Sequence, residues 1–200
     1  MNWLALTRQV VVRYEGIDKL QNLRGTIVAA NHPGLLDAVF LIGRLPRAFC
    51  IMRASLMRNI AVSGGARWAG YVTNDRGAGL IRQCKRKLEA GDNLLIFPEG
   101  TRTRAGARGV NAFKSGFALT SVRTGAPIHT VIIERSGAYL GKGTGLMEPA
   151  EIPIRMSIRV GRVFVPQPNE PPKELSRRLE DYFRAELEPG VGTWGLGERE

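Results

Sequence analysis

Short apolar and β-branched runs alternate along this chain with stretches whose apolar residues recur at helical spacing. That alternation confines the chain to an α/β architecture. Val10–Tyr14, Thr26–Ala30, Ala48–Met52, Asn93–Phe97 and Ile128–Ile133 read as strands. In Ile154–Val165, Ile154, Met156, Ile158 and Val160 alternate with Arg155, Ser157 and Arg159, so one face of that strand is buried. A helix is expected over Leu35–Leu45, closed by Pro46. A second carries Leu80, Ile81, Cys84 and Leu88 on one face and stops at Gly91. A third holds Phe113, Phe117 and Ser121 and ends at Gly125. Pro172 opens a last one, with Leu175, Leu179, Tyr182, Phe183 and Leu187 on one side. The predicted fold is α/β, a mixed, largely parallel β-sheet flanked by helices. Residues 1–188 are expected to form a single domain, with 189–200 as a flexible Gly-rich tail.

At 200 residues the chain is long enough to bury a core without staples. Its two cysteines, Cys50 and Cys84, form no CxxC or Cys/His cluster, which points to a reducing compartment. Lys and Arg number 29 against 18 Asp and Glu, a net charge of +11. The excess sits before Glu148; beyond it, acidic residues slightly outnumber basic ones. A basic body suits a polyanionic partner: nucleic acid, an anionic membrane surface or a phosphorylated substrate. Composition does not choose among them. The opening MNWLALTRQVVVRYEG is cut by Arg8 and Arg13 and lacks the features of a signal peptide. No run is long and apolar enough to predict a spanning helix, so membrane contact is expected to be peripheral. Trp3, Leu4 and Leu6 could serve it by interfacial insertion.

Ligands of open α/β sheets collect where strands run into loops, and two predicted strand ends carry polar clusters. The first is Asn31-His32-Pro33-Gly34-Leu35-Leu36-Asp37. Residues five apart do not face each other on a regular helix. His32 and Asp37 meet if His32 precedes the first turn and folds back over it, with Pro33 at the first helical position and Asp37 early in the helix. A carboxylate on one imidazole nitrogen fixes the tautomer and leaves the other nitrogen to take a proton. The plainer alternative is a helix cap beside a chance histidine.

The second cluster is Phe97-Pro98-Glu99-Gly100-Thr101-Arg102-Thr103. Glycine lets backbone approach a ligand closely, and hydroxyl and guanidinium donors suit phosphate. Arg104, Arg108 and then Phe113-Lys114-Ser115-Gly116 follow. Any one of these pieces alone reads as a polar surface turn.

Together, the two clusters resemble the motifs of the glycerolipid acyltransferase family, the lysophosphatidic acid acyltransferase-like enzymes. NHPGLLD is similar to the family's N-H-x-x-x-x-D motif, and FPEGTRT to its F-P-E-G-T-R motif. Between them, Gly70-Tyr71-Val72-Thr73-Asn74-Asp75-Arg76 resembles a second motif ending in a phosphate-binding arginine. Phe113-Lys114-Ser115-Gly116 is similar to a recurring F-K-x-G, and Ala126-Pro127-Ile128 to the start of a fourth, apolar motif. The likeness runs from about Val10 to Pro166. Gly34 stands where many members carry serine, and Thr130 falls where a second proline is usual.

The resemblance implies a glycerol-3-phosphate acyltransferase-like fold and direct acyl transfer. His32, oriented by Asp37, would deprotonate a hydroxyl of a lysophospholipid such as 1-acylglycerol-3-phosphate. That oxygen would attack an acyl thioester of acyl-CoA or acyl carrier protein. Arg76, Glu99, Gly100, Thr101, Arg102 and Lys114 would form the phosphate site, and Pro127 and Ile128 an apolar pocket for the acyl chain. It implies no metal and no cofactor beyond the thioester substrate. The expected partners are a lysolipid acceptor, acyl-CoA or acyl carrier protein, and an anionic membrane surface. The expected place is cytoplasmic, peripheral on the inner face of the membrane.

Three other functions compete. The acceptor could be a different or specialised lysolipid. The same dyad could activate water, as a thioester hydrolase. The charge alone would fit a nucleic-acid-binding module, but helix-turn-helix, RNP-like and zinc-finger signals are all missing, so no nucleic acid is expected. His129 and Cys84 read as core residues of a strand and a helix, and Arg82, Lys85, Arg86 and Lys87 as a solvated helix face.

Overall fold

The apolar runs pair edge to edge because each is too short and too hydrophobic to stand alone. In the computed structural model, which describes residues 10–34, 37–52, 72–73, 78–104, 109–135 and 153–188, they form one seven-stranded sheet. In chain order the elements are β1 (Val10–Glu15), a 3-10 turn (Ile17–Leu20), β2 (Ile27–Ala30), α1 (Asp37–Ile42), β3 (Ala48–Met52) and β4 (Val72–Thr73). Then come α2 (Ala78–Glu89), β5 (Asn93–Ile96), α3 (Gly116–Thr124), β6 (Ile128–Arg135), β7 (Ile154–Phe164) and α4 (Pro172–Glu186). The strand order is β1-β7-β6-β2-β5-β3-β4. Only β6 and β7 pair antiparallel; the other neighbours are parallel. The expected mixed, largely parallel α/β sheet is what forms.

Every side chain of β2 is buried, as a central parallel strand covered on both faces requires. One face packs Ile27, Ala29, Leu94, Ile128 and Ile132 against Cys84 and Leu88 of α2, Phe117 of α3, and Leu175, Leu179 and Phe183 of α4. The other packs Val28, Ala30, Leu95, Val131 and Ile133 against Phe40 and Leu41 of α1 and Leu20 of the 3-10 turn. A fully buried side chain of this size contributes about 1.5–3 kcal/mol.

Three departures from the sequence reading bear on the site. Among the described residues, the helix expected over Leu35–Leu45 runs from Asp37 and stops at Ile42, short of Leu45. It ends in tighter turns, Arg44 N–H to Leu41 C=O and Leu45 N–H to Ile42 C=O, before Pro46. Pro33 lies in a bend, as does Gly34 after it, rather than at the helix's first position. Strand β6 runs two residues past Ile133, because long β7 continues the ladder: Glu134 opposite Ser157 and Arg135 opposite Met156. The two-residue β4 was too short to leave a pattern. Trp3, Leu4, Leu6, Arg76, Arg108 and the tail 189–200 lie outside the described residues.

Register fixes where chemistry can gather. Ile27 faces Leu94 of β5 and Ile128 of β6, and Ala30 faces Val131. Strands β6, β2 and β5 are therefore adjacent and run the same way. Their C-terminal ends deliver Arg135, Asn31–His32 and Phe97–Arg102 to one edge of the sheet.

Candidate active site

Asn31 continues the sheet where β2 stops. Its side-chain amide donates to the Ile133 carbonyl and accepts the Ile133 N–H, both at 2.7 Å. That pins the next residue, His32, against β6. The His32 carbonyl accepts the Thr103 N–H at 2.7 Å, and the imidazole stacks on Phe97, with ring centroids 4.1 Å apart and planes 23° from parallel. The ring is thus held on two sides before any dyad forms.

His32 Nδ1 lies 3.1 Å from Asp37 Oδ2. The same oxygen accepts the Gly34 N–H at 2.6 Å, so one carboxylate oxygen holds both the ring and the backbone two residues beyond it. His32 folds back over the start of α1, the route by which residues five apart can meet. A carboxylate only accepts, so Nδ1 carries the proton and Nε2 presents the lone pair. The His32 side chain keeps 17% exposure and Asp37 none. A substrate can reach the imidazole but not the carboxylate behind it. The second oxygen of Asp37, Oδ1, is buried without a hydrogen bond among the described residues.

Glu99 belongs to the other loop, yet its carboxylate turns inward. Oε1 accepts the His32 N–H at 2.9 Å and the Thr103 hydroxyl at 2.8 Å. Oε2 accepts the Asn111 N–H at 2.9 Å and its side-chain amide at 2.6 Å. With both oxygens used and the side chain buried, Glu99 shapes the site from behind. Gly100 has φ +64°, a conformation that side-chain-bearing residues rarely adopt, and the end of the Lys114 side chain lies across it. A Cβ there would stand 3.0 Å from Lys114 Nζ. The Lys114 N–H donates to the Pro98 carbonyl at 2.9 Å, laying the FKSG segment along the FPEGTR loop.

His32, Asp37, Glu99, Gly100, Thr101, Arg102 and Lys114 therefore gather at one sheet edge. Pro127 and Ile128 do not join them. They stand at the N-terminal end of β6, the opposite edge. The Pro127 carbonyl accepts the Ile27 N–H and the Thr26 hydroxyl, and Ile128 is fully buried in the core. An apolar pocket built from these two is not what their placement supports; they seal the base of the sheet.

Sequence reasoning missed Phe97 as the ring's stacking partner, Asn111 as Glu99's anchor, and Arg135. For Arg135 there was a signal. Val131 and Ile133 face α1, and a period of two carried past Ile133 puts residue 135 on the same face as the dyad. Arg135 is half-buried, and burial holds its guanidinium below the usual range. The Asp37 carboxylate opposes that shift and Arg102 adds to it.

A histidine backed by a buried carboxylate thus stands at this edge of the sheet beside a cationic, glycine-containing loop. The model of the Acyltransferase family matches residues 11–134, and the chain belongs to that family. The chain is 28% identical over 116 residues to a 1-acyl-sn-glycerol-3-phosphate acyltransferase of Helicobacter pylori. That match takes in 55% of this chain and 48% of the relative, so it spans about half of the relative's length. The fold is similar to the crystal structure of PlsC, the 1-acyl-sn-glycerophosphate (LPA) acyltransferase of Thermotoga maritima. The TM-score is 0.70 at 24% identity, over 94% of this chain and 75% of that one.

Proposed function

We propose that this protein moves a fatty acyl chain from an acyl thioester, acyl-CoA or acyl carrier protein, to a hydroxyl of a lysophospholipid such as 1-acylglycerol-3-phosphate. The observation that carries the reading is the His32 Nδ1–Asp37 Oδ2 contact of 3.1 Å at the edge that also bears Arg102 and Lys114. His32 Nε2 takes the acceptor's hydroxyl proton as the oxygen attacks the thioester carbonyl. The C–O bond forms, the C–S bond breaks, and the departing thiolate takes the proton from the imidazolium. Asp37 stabilises the imidazolium between these steps. Arg102 and Lys114 hold the acceptor's phosphate, as does Arg76. Residues 1–188 act as one catalytic domain.

The acceptor resides in a bilayer, and the +11 charge supports binding to an anionic inner membrane face from the cytoplasmic side. No helix among the described residues is long and apolar enough to cross a membrane. An acceptor panel offered with acyl-CoA and acyl carrier protein donors, read by mass spectrometry, tests the reading. Diacyl product from lysophosphatidate is expected, with thiol released only when acceptor is present. Thiol release without acceptor would make the protein a hydrolase, and no product from any lysolipid would remove the assignment.

A further inference from the structure

Asn111 lies in an irregular segment just ahead of α3. Backbone outside helices and sheets must find its partners elsewhere, and this segment finds them on two sides. Toward α4, the Phe113 N–H donates to Glu180 Oε2 at 2.8 Å, and the Phe113 ring meets that of Phe183 edge-on, with centroids 5.4 Å apart. Gly109 is pressed so close to the end of α4 that a Cβ there would stand 2.9 Å from Leu187 Cβ. Val110, next to it, is buried in the core. The other side of the segment faces the loop that carries Glu99 and Arg102, and there Asn111 makes the bonds.

Its side-chain Nδ2 donates to Glu99 Oε2 at 2.6 Å and to the Arg102 carbonyl at 3.2 Å, and its Oδ1 accepts the Arg104 N–H at 3.3 Å. Its backbone N–H also donates to Glu99 Oε2, at 2.9 Å. Two acceptors meet the amide nitrogen and one donor meets its oxygen, so a single orientation satisfies all three. Glu99 is the one charged side chain bonded to it among the described residues. A carboxylate is a rigid plane. Two donors on Oε2 therefore decide where Oε1 points, and Oε1 accepts the His32 N–H. One hydrogen-bonded path thus runs from α4 through the segment to the backbone of the residue that carries the imidazole.

We propose that Asn111 is a positioning residue: by fixing Glu99 Oε2 and the backbone of residues 102 and 104, it keeps His32 where its imidazole can take the acceptor's proton. It acts through Glu99 rather than on the substrate. The proposal rests on the acyl-transfer reading for the chemistry it serves, while the hold on His32 is measurable without that chemistry.

The test uses Asn111→Ala and Asn111→Asp. Values of kcat and of both substrates' KM are measured as ratios to wild type, and amide hydrogen exchange at His32 is followed by NMR. Asn111→Ala keeps the backbone bond to Glu99 and removes the three made by the side chain. It is expected to lower kcat about tenfold or more, because a small misplacement of a reacting group is costly. Both KM values should stay within about twofold, and the His32 N–H should exchange faster. Asn111→Asp keeps the shape but sets a second carboxylate against Glu99, and two facing carboxylates hold a shared proton to higher pH than either alone. Once protonated, the aspartic acid donates to Glu99 as the amide does. Its kcat deficit should therefore be greatest at alkaline pH and narrow toward acid, which lost packing would not produce. Because it keeps the side chain's volume, this variant also decides the matter if the alanine variant does not fold. A kcat within about twofold of wild type in folded Asn111→Ala, raised KM values with kcat unchanged, or an Asn111→Asp deficit indifferent to pH would overturn the proposal. Faster His32 exchange in a protein that transfers no acyl group would instead sink the function proposed above and leave the hold of Asn111 on His32 standing. Acyl transfer whose kcat and His32 exchange both ignore Asn111 would do the reverse.

Discussion

The backbone N–H of His32 donates to Oε1 of Glu99 at 2.9 Å, so the two polar loops are tied together at His32. Glu99 takes three further bonds, from Thr103 and from both nitrogens of Asn111. Removing a buried acceptor strands its donors at about 1–3 kcal/mol each. Glu99→Ala is therefore expected to lose about 3 kcal/mol or more in chemical denaturation, and to lower turnover because His32 is no longer held. A loss under about 1 kcal/mol would show that water replaces the carboxylate without cost.

His32→Ala is expected to reduce acyl transfer by about 10²–10⁴ while the circular dichroism spectrum stays that of wild type. The ring's neighbours are Phe97 and Asp37 rather than the deep core, so the fold should tolerate its removal. Turnover near wild type in the folded variant would exclude His32 as the base.

Asp37→Asn should act on rate alone. The carboxylate accepts from His32 Nδ1 and from the Gly34 N–H through one oxygen. An amide can present its own N–H to the imidazole, which favours the wrong tautomer. Steady-state kinetics should show a fallen kcat with the acceptor KM within about twofold of wild type. A raised acceptor KM with unchanged kcat would place Asp37 in binding.

Charge removal at Arg102 or Lys114 should do the opposite. Lys114 lies across Gly100, and Arg102 follows it on the same loop. Arg102→Gln and Lys114→Gln are each expected to raise the acceptor KM about tenfold or more. Should only the donor constant move, these residues face the thioester carrier instead.

His129 makes a pH prediction about stability rather than catalysis. Burial lowers its pKa from the usual 6.5. The unfolded chain then takes up the proton first, so the stabilisation is complete above the ordinary histidine pKa and is lost as pH falls through it. Burial shifts Glu134 the other way, upward from the usual carboxylate range, so its contribution falls as pH rises and acts in a more acid window. His129→Gln should flatten the decline of Tm between about pH 7 and pH 5.5 relative to wild type. Parallel Tm curves would mean that His129 is protonated equally in both states.

Much of this protein is local in origin and was legible residue by residue. The β-branched runs became β1, β2, β3, β5, β6 and β7, and the helical stripes became α2, α3 and α4, because period and burial follow from adjacent residues. The pairing of His32 with Asp37 was legible too, since five residues and a proline bend leave few ways for them to meet. The destinations of Glu99 and Arg135 were not. Glu99 reads as a pocket carboxylate beside Arg102, and only the packing of β5 beside β2 turns it inward onto the His32 N–H. Pro127 and Ile128 belong to a strand that starts at the far edge of the sheet, a matter of strand direction that composition does not encode. Arg135 reaches the dyad because β7, arriving antiparallel, lengthens β6 by two residues. A ladder bond depends on its partner strand, so where a strand ends, and which side chain it delivers to a site, is decided by the tertiary structure.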